Sequence, residues 1–249
     1  MGSIPDLDAM PADATPVDAM PVSMSPSPDP FRPSEYSGLL MQVLRSRADA
    51  FARGAGLDMG MGSGVLLATL GQLGVERLVG VDIDPDAISA STEMVRSLGL
   101  LGRTRLVQGS LWEPLGDETF DVVVTNLPNF AATEPSDPDH SRFWSMGGAD
   151  GRRVIDPFLA GLRRHLNPGG VAFMTHNVFA GLAETAAMLA RQGLSARPIL
   201  ATTSLLHPMK SMLMTPAVRA KYGGSAMRRL GPYEFADVQV LEIRATSQA

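Results

Sequence analysis

The stretch Gly56-Leu57-Asp58-Met59-Gly60-Met61-Gly62-Ser63-Gly64 constrains this chain more than any other. An acid precedes three glycines at every second position, and an apolar helical pattern runs from Val65 to Leu73. Leu78-Val79-Gly80-Val81-Asp82-Ile83-Asp84 then reads as a buried strand ending in carboxylates. Strand, glycine turn, helix and a second strand closed by an acid make the first half of a nucleotide-binding α/β unit. Gly60, Gly62 and Gly64 let the backbone bend tightly and approach a ligand, because no Cβ intervenes.

The spacing also bears on the ligand. A pyrophosphate-binding turn has the pattern G-x-G-x-x-G, whereas this one is G-x-G-x-G preceded by an acid. Asp58 would repel a phosphate and attract an ammonium group, which favours a zwitterionic cofactor such as S-adenosylmethionine over a dinucleotide. Asp82, at the end of the second strand, is placed to accept both hydroxyls of a ribose.

The rest of the chain supplies a sheet for this unit. Asp84-Pro85 opens a helix that ends at Gly99, with Pro85 suited to its first turn. Residues 105–109, 120–125, 171–175 and 199–203 read as further strands, and 237–244 as a last one with stricter alternation. Strict alternation suits an antiparallel strand at or near a sheet edge. Helices are expected before the first strand, over 150–166 with Pro157 kinking it or starting a second segment, and over 182–192. The pattern predicts an α/β fold: a Rossmann-like, seven-stranded, mostly parallel sheet with helices on both faces and an antiparallel edge hairpin. Residues 31–249 form this domain, and 206–235, lacking a clear period, form a cap or loop insertion.

Composition narrows the function. The 249 residues contain no cysteine, which excludes disulfides, thiolate metal sites and cysteine nucleophiles. The four histidines lack ligand spacing, so no metal is expected. Residues 1–30 carry seven prolines, and residues 1–31 five aspartates and no Lys or Arg. Such a segment buries too little apolar surface to fold alone and reads as a disordered or extended acidic arm. It accounts for the whole net charge of −5, leaving 21 acids against 21 bases in residues 32–249. A neutral body offers no electrostatic footprint for nucleic acid. With no signal-peptide pattern and no apolar run near the ~20 residues that span a bilayer, a soluble, cytoplasmic protein with no membrane partner is expected.

From residue 54 to about 180 the chain resembles class I S-adenosylmethionine-dependent methyltransferases. That resemblance implies that Asp58, Gly60, Gly62 and Gly64 hold the methionine part of the cofactor, Asp82 its ribose and Ile83 its adenine. Ser110 stands where the family often has an acid, beside Leu111. Asn126-Leu127-Pro128-Asn129-Phe130 resembles the N-P-P-Y loop of amino and amide methyltransferases, with Leu127 in place of the first proline and Asn129 at the aromatic position. Gly147-Gly148-Ala149-Asp150-Gly151-Arg152 and Arg32-Pro33 resemble the release-factor glutamine subgroup. In such a loop, Asn126, Leu127 and Pro128 carry the chemistry. A poor nitrogen nucleophile donates hydrogen bonds to the Asn side-chain oxygen and the next carbonyl, so catalysis is largely orientation.

Arg32, Tyr36, Phe130, Trp144, His176 and His207 are candidates for substrate contact. The acceptor is expected to be a nitrogen of a small molecule of specialised metabolism. Methylation of a protein amide or amine is the first alternative. The second is cyclisation of the cofactor to azetidine-2-carboxylate with release of methylthioadenosine. The sequence leaves the oligomeric state open.

Overall fold

The computed structural model describes residues 31–132 and 145–246. The acidic arm and Trp144 therefore lie outside the described residues. Five parallel strands, β1 (Ala55–Met59), β2 (Arg77–Asp82), β3 (Thr104–Gln108), β4 (Phe120–Thr125) and β5 (Leu166–Asn177), form the body of the sheet. β6 (Leu194–Leu205), β7 (Met227–Leu230) and β8 (Tyr233–Ala245) complete it, with β8 antiparallel to β5, β6 and β7. The order is β3-β2-β1-β4-β5-β8-β6, with β7 added beside the first residues of β8.

Alternation along the strands separates two apolar layers. Leu57, Met59, Val79, Val81 and Val123 pack with Ile155, Phe158, Leu159 and Leu162 of α4 (Ile155–His165) and Leu189 of α5 (Leu182–Ala190). Leu78, Val122 and Val124 face the other way. They meet α1 (Glu35–Ser46) through Leu40 and Leu44, α2 (Val65–Gln72) through Leu67 and Leu70, and α3 (Pro85–Ser97) through Val95. Each such side chain, fully buried, contributes roughly 1.5–3 kcal/mol of transfer free energy.

The fold class agrees with the sequence, while several boundaries move. Among the described residues the sheet has eight strands rather than seven. Residues 206–235 hold α6 (Pro208–Leu213), α7 (Pro216–Tyr222) and β7, elements of six, seven and four residues. Pieces this short fall below the window of about 11–18 residues over which a period can be read. Met214, Val218 and Met227 pack there with Phe130 and Phe179 in a third apolar cluster. Pro157 neither kinks α4 nor starts a new segment: it is the third residue of the helix, where its missing N–H has no intrahelical partner to lose. α3 begins as its sequence implies, Asp84 accepting from Asp86 N–H and Pro85 following.

One side chain fastens the loop after β3 to α4. The Trp112 ring stacks on Phe158 and on His165, with centroids 5.2 and 4.4 Å apart, and its Nε1 donates to the Phe158 carbonyl at 2.9 Å. The close approach depends on Gly161, where a Cβ would lie 2.3 Å from Trp112 Cδ1. Gly161→Ala should therefore destabilise the protein. The gain in helix propensity of about 1 kcal/mol is outweighed by an overpacking cost of about 1–3 kcal/mol. Urea unfolding should show a lower midpoint at unchanged slope; a higher midpoint would mean that the indole yields freely.

Candidate active site

The glycine turn is built by hydrogen bonds that its neighbours impose. Gly60 and Met61 N–H donate to the Val81 carbonyl at 2.8 and 3.2 Å, which seats the turn on the end of β2. Gly60, Gly62 and Gly64 have φ of +70°, +49° and +75°, the left-handed region that side chains disfavour. Gly62 is held from both sides. Its N–H donates to Asp82 Oδ2 and its carbonyl accepts from Ser91 Oγ, each at 2.9 Å. Asp82 Oδ1 accepts from Asp84 N–H at 3.0 Å, so one carboxylate shapes both the glycine turn and the start of the next loop. A Cβ on Gly64 would lie 2.8 Å from Ser91 Oγ and 3.1 Å from its Cα, so the last glycine lets α2 and α3 meet.

Beside this turn lies a cavity of ≈ 490 Å³. Gly60, Gly62, Asp82, Ile83, Ser110 and Leu111 line one part, and Asn126, Leu127, Pro128 and Arg32 another. Ile83 is 69% exposed, an apolar surface suited to a flat ring. Leu111 takes φ of +47°, an uncommon conformation for a branched residue and one held where the cavity needs it. Ser37, Met61, Arg153, Val154 and Pro157 also line the cavity, and none of them is among the site candidates drawn from the sequence.

Asn126 follows β4 at the carboxyl edge of the sheet, where open α/β folds bind ligands. Its Oδ1 accepts from Thr175 Oγ1 at 2.6 Å. Asn129 turns away from the cavity, and its Nδ2 donates to the Thr175 carbonyl at 3.0 Å. The segment 145–151 runs beside this loop: Phe130 N–H bonds the Ser145 carbonyl, and Gly147 N–H bonds the Phe130 carbonyl. A Cβ at Gly151 would meet the Asn129 carbonyl oxygen at 2.6 Å, which explains a glycine there.

Several candidates fall elsewhere. Asp58 does not line the cavity. It is fully buried beneath α2, where Oδ2 accepts from Leu67 N–H at 3.0 Å and Oδ1 has no partner. Burial pushes its carboxyl up to about 8, against the Leu67 hydrogen bond, so near neutral pH it carries no charge with which to attract an ammonium. Its role is to hold the first turn of α2. Gly64 caps α2 rather than lining the cavity. His176 is buried, its Nε2 against Thr185 Oγ1 at 2.9 Å. Burial, and then Arg152, push it down to about 4, so it is a neutral core residue. Tyr36 reaches Ser204 instead of the cavity, and burial raises its pKa. Phe130 is buried against Phe179, with Lys210 Nζ 5.7 Å from its ring centre. His207 is exposed on the insertion. Among the described residues no cluster of His, Asp or Glu could hold a metal, and no helix is long and apolar enough to cross a membrane.

Comparison with known proteins matches this architecture. Residues 57–141 match the family model described as a methyltransferase domain. A release factor glutamine methyltransferase of Geobacter sulfurreducens is 34% identical over 145 residues, 55% of this chain and 50% of its own length. Residues 57–141 thus carry a methyltransferase domain. A ribosomal protein uL3 glutamine methyltransferase of Bordetella pertussis is 36% identical over 122 residues, 46% of this chain and 41% of its own length. The chain thus spans half the length, or less, of these two curated relatives. Among solved structures, a chain of the E. cuniculi Mtq2–Trm112 complex, described as responsible for methylation of the eRF1 termination factor, shares the fold. Its TM-score is 0.54 at 20% identity, covering 88% of this chain and 99% of its own.

These relatives overturn one expectation. The sequence points to a small-molecule acceptor, yet the relatives that share the methyltransferase domain are named for release factor and ribosomal protein glutamine. Methyltransferases of this family use S-adenosyl-L-methionine. The cavity fits it: Asp82 spends one lone pair of each oxygen on backbone N–H and keeps others for hydroxyls, Ile83 offers an apolar plane, and the glycines leave backbone open.

The buried Asp58 makes a testable pH dependence. In the unfolded chain an aspartate releases its proton near about pH 4, whereas in the fold it holds it to about pH 8. Between these values folding takes up a proton, so stability falls as pH rises, by at most about 1.4 kcal/mol per pH unit. Urea unfolding at about pH 5.5 and 7.5 should show the native protein losing roughly 1–3 kcal/mol more than Asp58→Asn across that interval. Equal losses would mean that the carboxyl is ionised in the fold.

Proposed function

We propose that this methyltransferase domain transfers the methyl group of S-adenosyl-L-methionine to the side-chain amide nitrogen of a glutamine in a protein. The observation that carries this is the Asn126 loop: an amide oxygen held at the carboxyl edge of the sheet, on the wall of the cavity that the glycine turn also lines. The names of the relatives support glutamine as the acceptor.

In this reading the residues divide by position. Gly60 and Gly62 leave room for the methionine part of the cofactor, Asp82 accepts the ribose hydroxyls, and Ile83, Ser110 and Leu111 bound the adenine. Bound there, the cofactor supplies an electrophilic methyl on sulfonium. Asn126 Oδ1 has one lone pair engaged by Thr175 and another available to an acceptor N–H. A second N–H meets the Leu127 carbonyl, which the change from proline leaves in place. An amide nitrogen has a lone pair delocalised into its carbonyl, so holding both N–H groups turns that pair toward the methyl. The new C–N bond replaces the S–CH3 bond of the sulfonium, which leaves as the thioether S-adenosylhomocysteine, and the amide proton then passes to solvent water. Leu127, buried against the glycine turn with its Cδ2 2.9 Å from where a Gly60 Cβ would sit, keeps water from that side. The site therefore works by orientation and exclusion rather than by a general base.

Asn126→Ala should leave cofactor affinity within about three-fold and lower methyl transfer to protein by roughly 100-fold or more. Calorimetry with S-adenosylmethionine and transfer of labelled methyl into extract protein measure the two. Digestion and mass spectrometry should place the methyl on glutamine. Methylthioadenosine formed without any acceptor, or transfer unchanged by the substitution, would contradict the proposal.

A further inference from the structure

We infer that Thr175 and Asn129 are positioning residues for Asn126, and this rests on the proposed amide methylation. Thr175 is 2% exposed and lies on β5, where Met174 pairs with Thr125 of β4, so it stands opposite Asn126 just as the ladder ends. It holds both ends of the catalytic loop. Its hydroxyl donates to Asn126 Oδ1 at 2.6 Å, and its carbonyl accepts from Asn129 Nδ2 at 3.0 Å. The strand end beside it is tied in the same manner, Thr125 Oγ1 donating to the Met59 carbonyl at 2.8 Å.

This arrangement accounts for the two places where the loop departs from N-P-P-Y. A proline fixes φ and narrows the conformations available to a loop. Leu127, in the first proline's place, leaves that torsion free. Asn129, at the aromatic position, supplies a side-chain bond to the sheet instead. Thr175 is the one residue that makes both bonds, so the loop's rigidity passes through it rather than through a second proline ring. An unpaired Asn126 amide would rotate among its rotamers, and an oxygen displaced by about 1 Å can cost on the order of 100-fold in rate.

The test uses the full chain saturated with S-adenosylhomocysteine. Nitrogen relaxation of the Asn126 side-chain amide, assigned by its loss in Asn126→Ala, should report a lower order parameter in Thr175→Val and native order in Thr175→Ser. Affinity for S-adenosylmethionine should stay within about three-fold, while labelled methyl transfer to extract protein falls roughly 10- to 100-fold in Thr175→Val. Thr175→Val should add nothing on top of Asn126→Ala, because both remove one function. Asn129→Ala, which leaves the hydroxyl bond intact, should give a smaller loss of the same kind and serves if Thr175→Val does not fold. Native Asn126 order in Thr175→Val and Asn129→Ala would overturn the inference. Should the native protein transfer no methyl to protein, the proposed function fails, and the order parameter still decides whether Thr175 positions Asn126.

Discussion

The site depends on how Gly62 is held. Its N–H and carbonyl point to opposite sides of a left-handed turn, and each meets a side chain from a different element: Asp82 from the end of β2 and Ser91 from α3. Neither bond alone defines the turn. Together they fix the peptide planes on both sides of Gly62, which leaves backbone rather than side chain along that wall of the cavity. Asp58 works one layer below, bonded to Leu67 N–H in the third position of α2. An acid there satisfies one of the free N–H groups that begin a helix. Its partnerless oxygen in an apolar surround keeps the group neutral near physiological pH.

The acceptor side is arranged differently. It is a wall of loops, 126–132 against 145–151, backed by Phe179 and the short helices of residues 206–235. Arg152 secures this wall from behind: it forms an ion pair with Asp156 at 2.6 Å and donates to the Gly181 carbonyl and Thr185 Oγ1. Thr185 in turn meets His176, which explains why a histidine at the carboxyl edge of the sheet is buried rather than catalytic. In the proposed reading, a cofactor side built from strand ends and an acceptor side built from loops lets acceptor recognition vary while the cofactor's geometry stays constant.

Much of this was legible in the residues. Gly60, Gly62, Asp82, Ile83, Ser110 and Asn126 to Pro128 belong to local patterns whose spacing carries the geometry, and these residues line the cavity. What stayed hidden are bonds between distant segments. Ser91 shows one faint sign, a small polar residue on the apolar face of α3 between Ala87 and Val95, where a glycine turn can approach. Thr175 shows none, because a threonine near a strand end is ordinary until its partner across the sheet is known. Asp58 was misplaced for a related reason: an acid before a glycine turn suggests a ligand contact, but side chains alternate along a strand, and this one points beneath α2. The acceptor is not legible in the loop itself, where Leu127 and Asn129 depart from N-P-P-Y and only the fold shows that Asn129 bonds the Thr175 carbonyl.

The clamp on Gly62 shapes the wall of the cavity that the proposed cofactor meets. Ser91 does not line the cavity, so its effect on binding can only pass through the turn. The most direct measurement is the affinity for S-adenosylmethionine, by calorimetry, of the native protein and Ser91→Ala. Loss of one hydrogen bond to the turn predicts binding about 3- to 10-fold weaker, with the unfolding free energy unchanged within about 1 kcal/mol. Native affinity in Ser91→Ala would show that the turn holds its shape without the clamp, and would contradict the account.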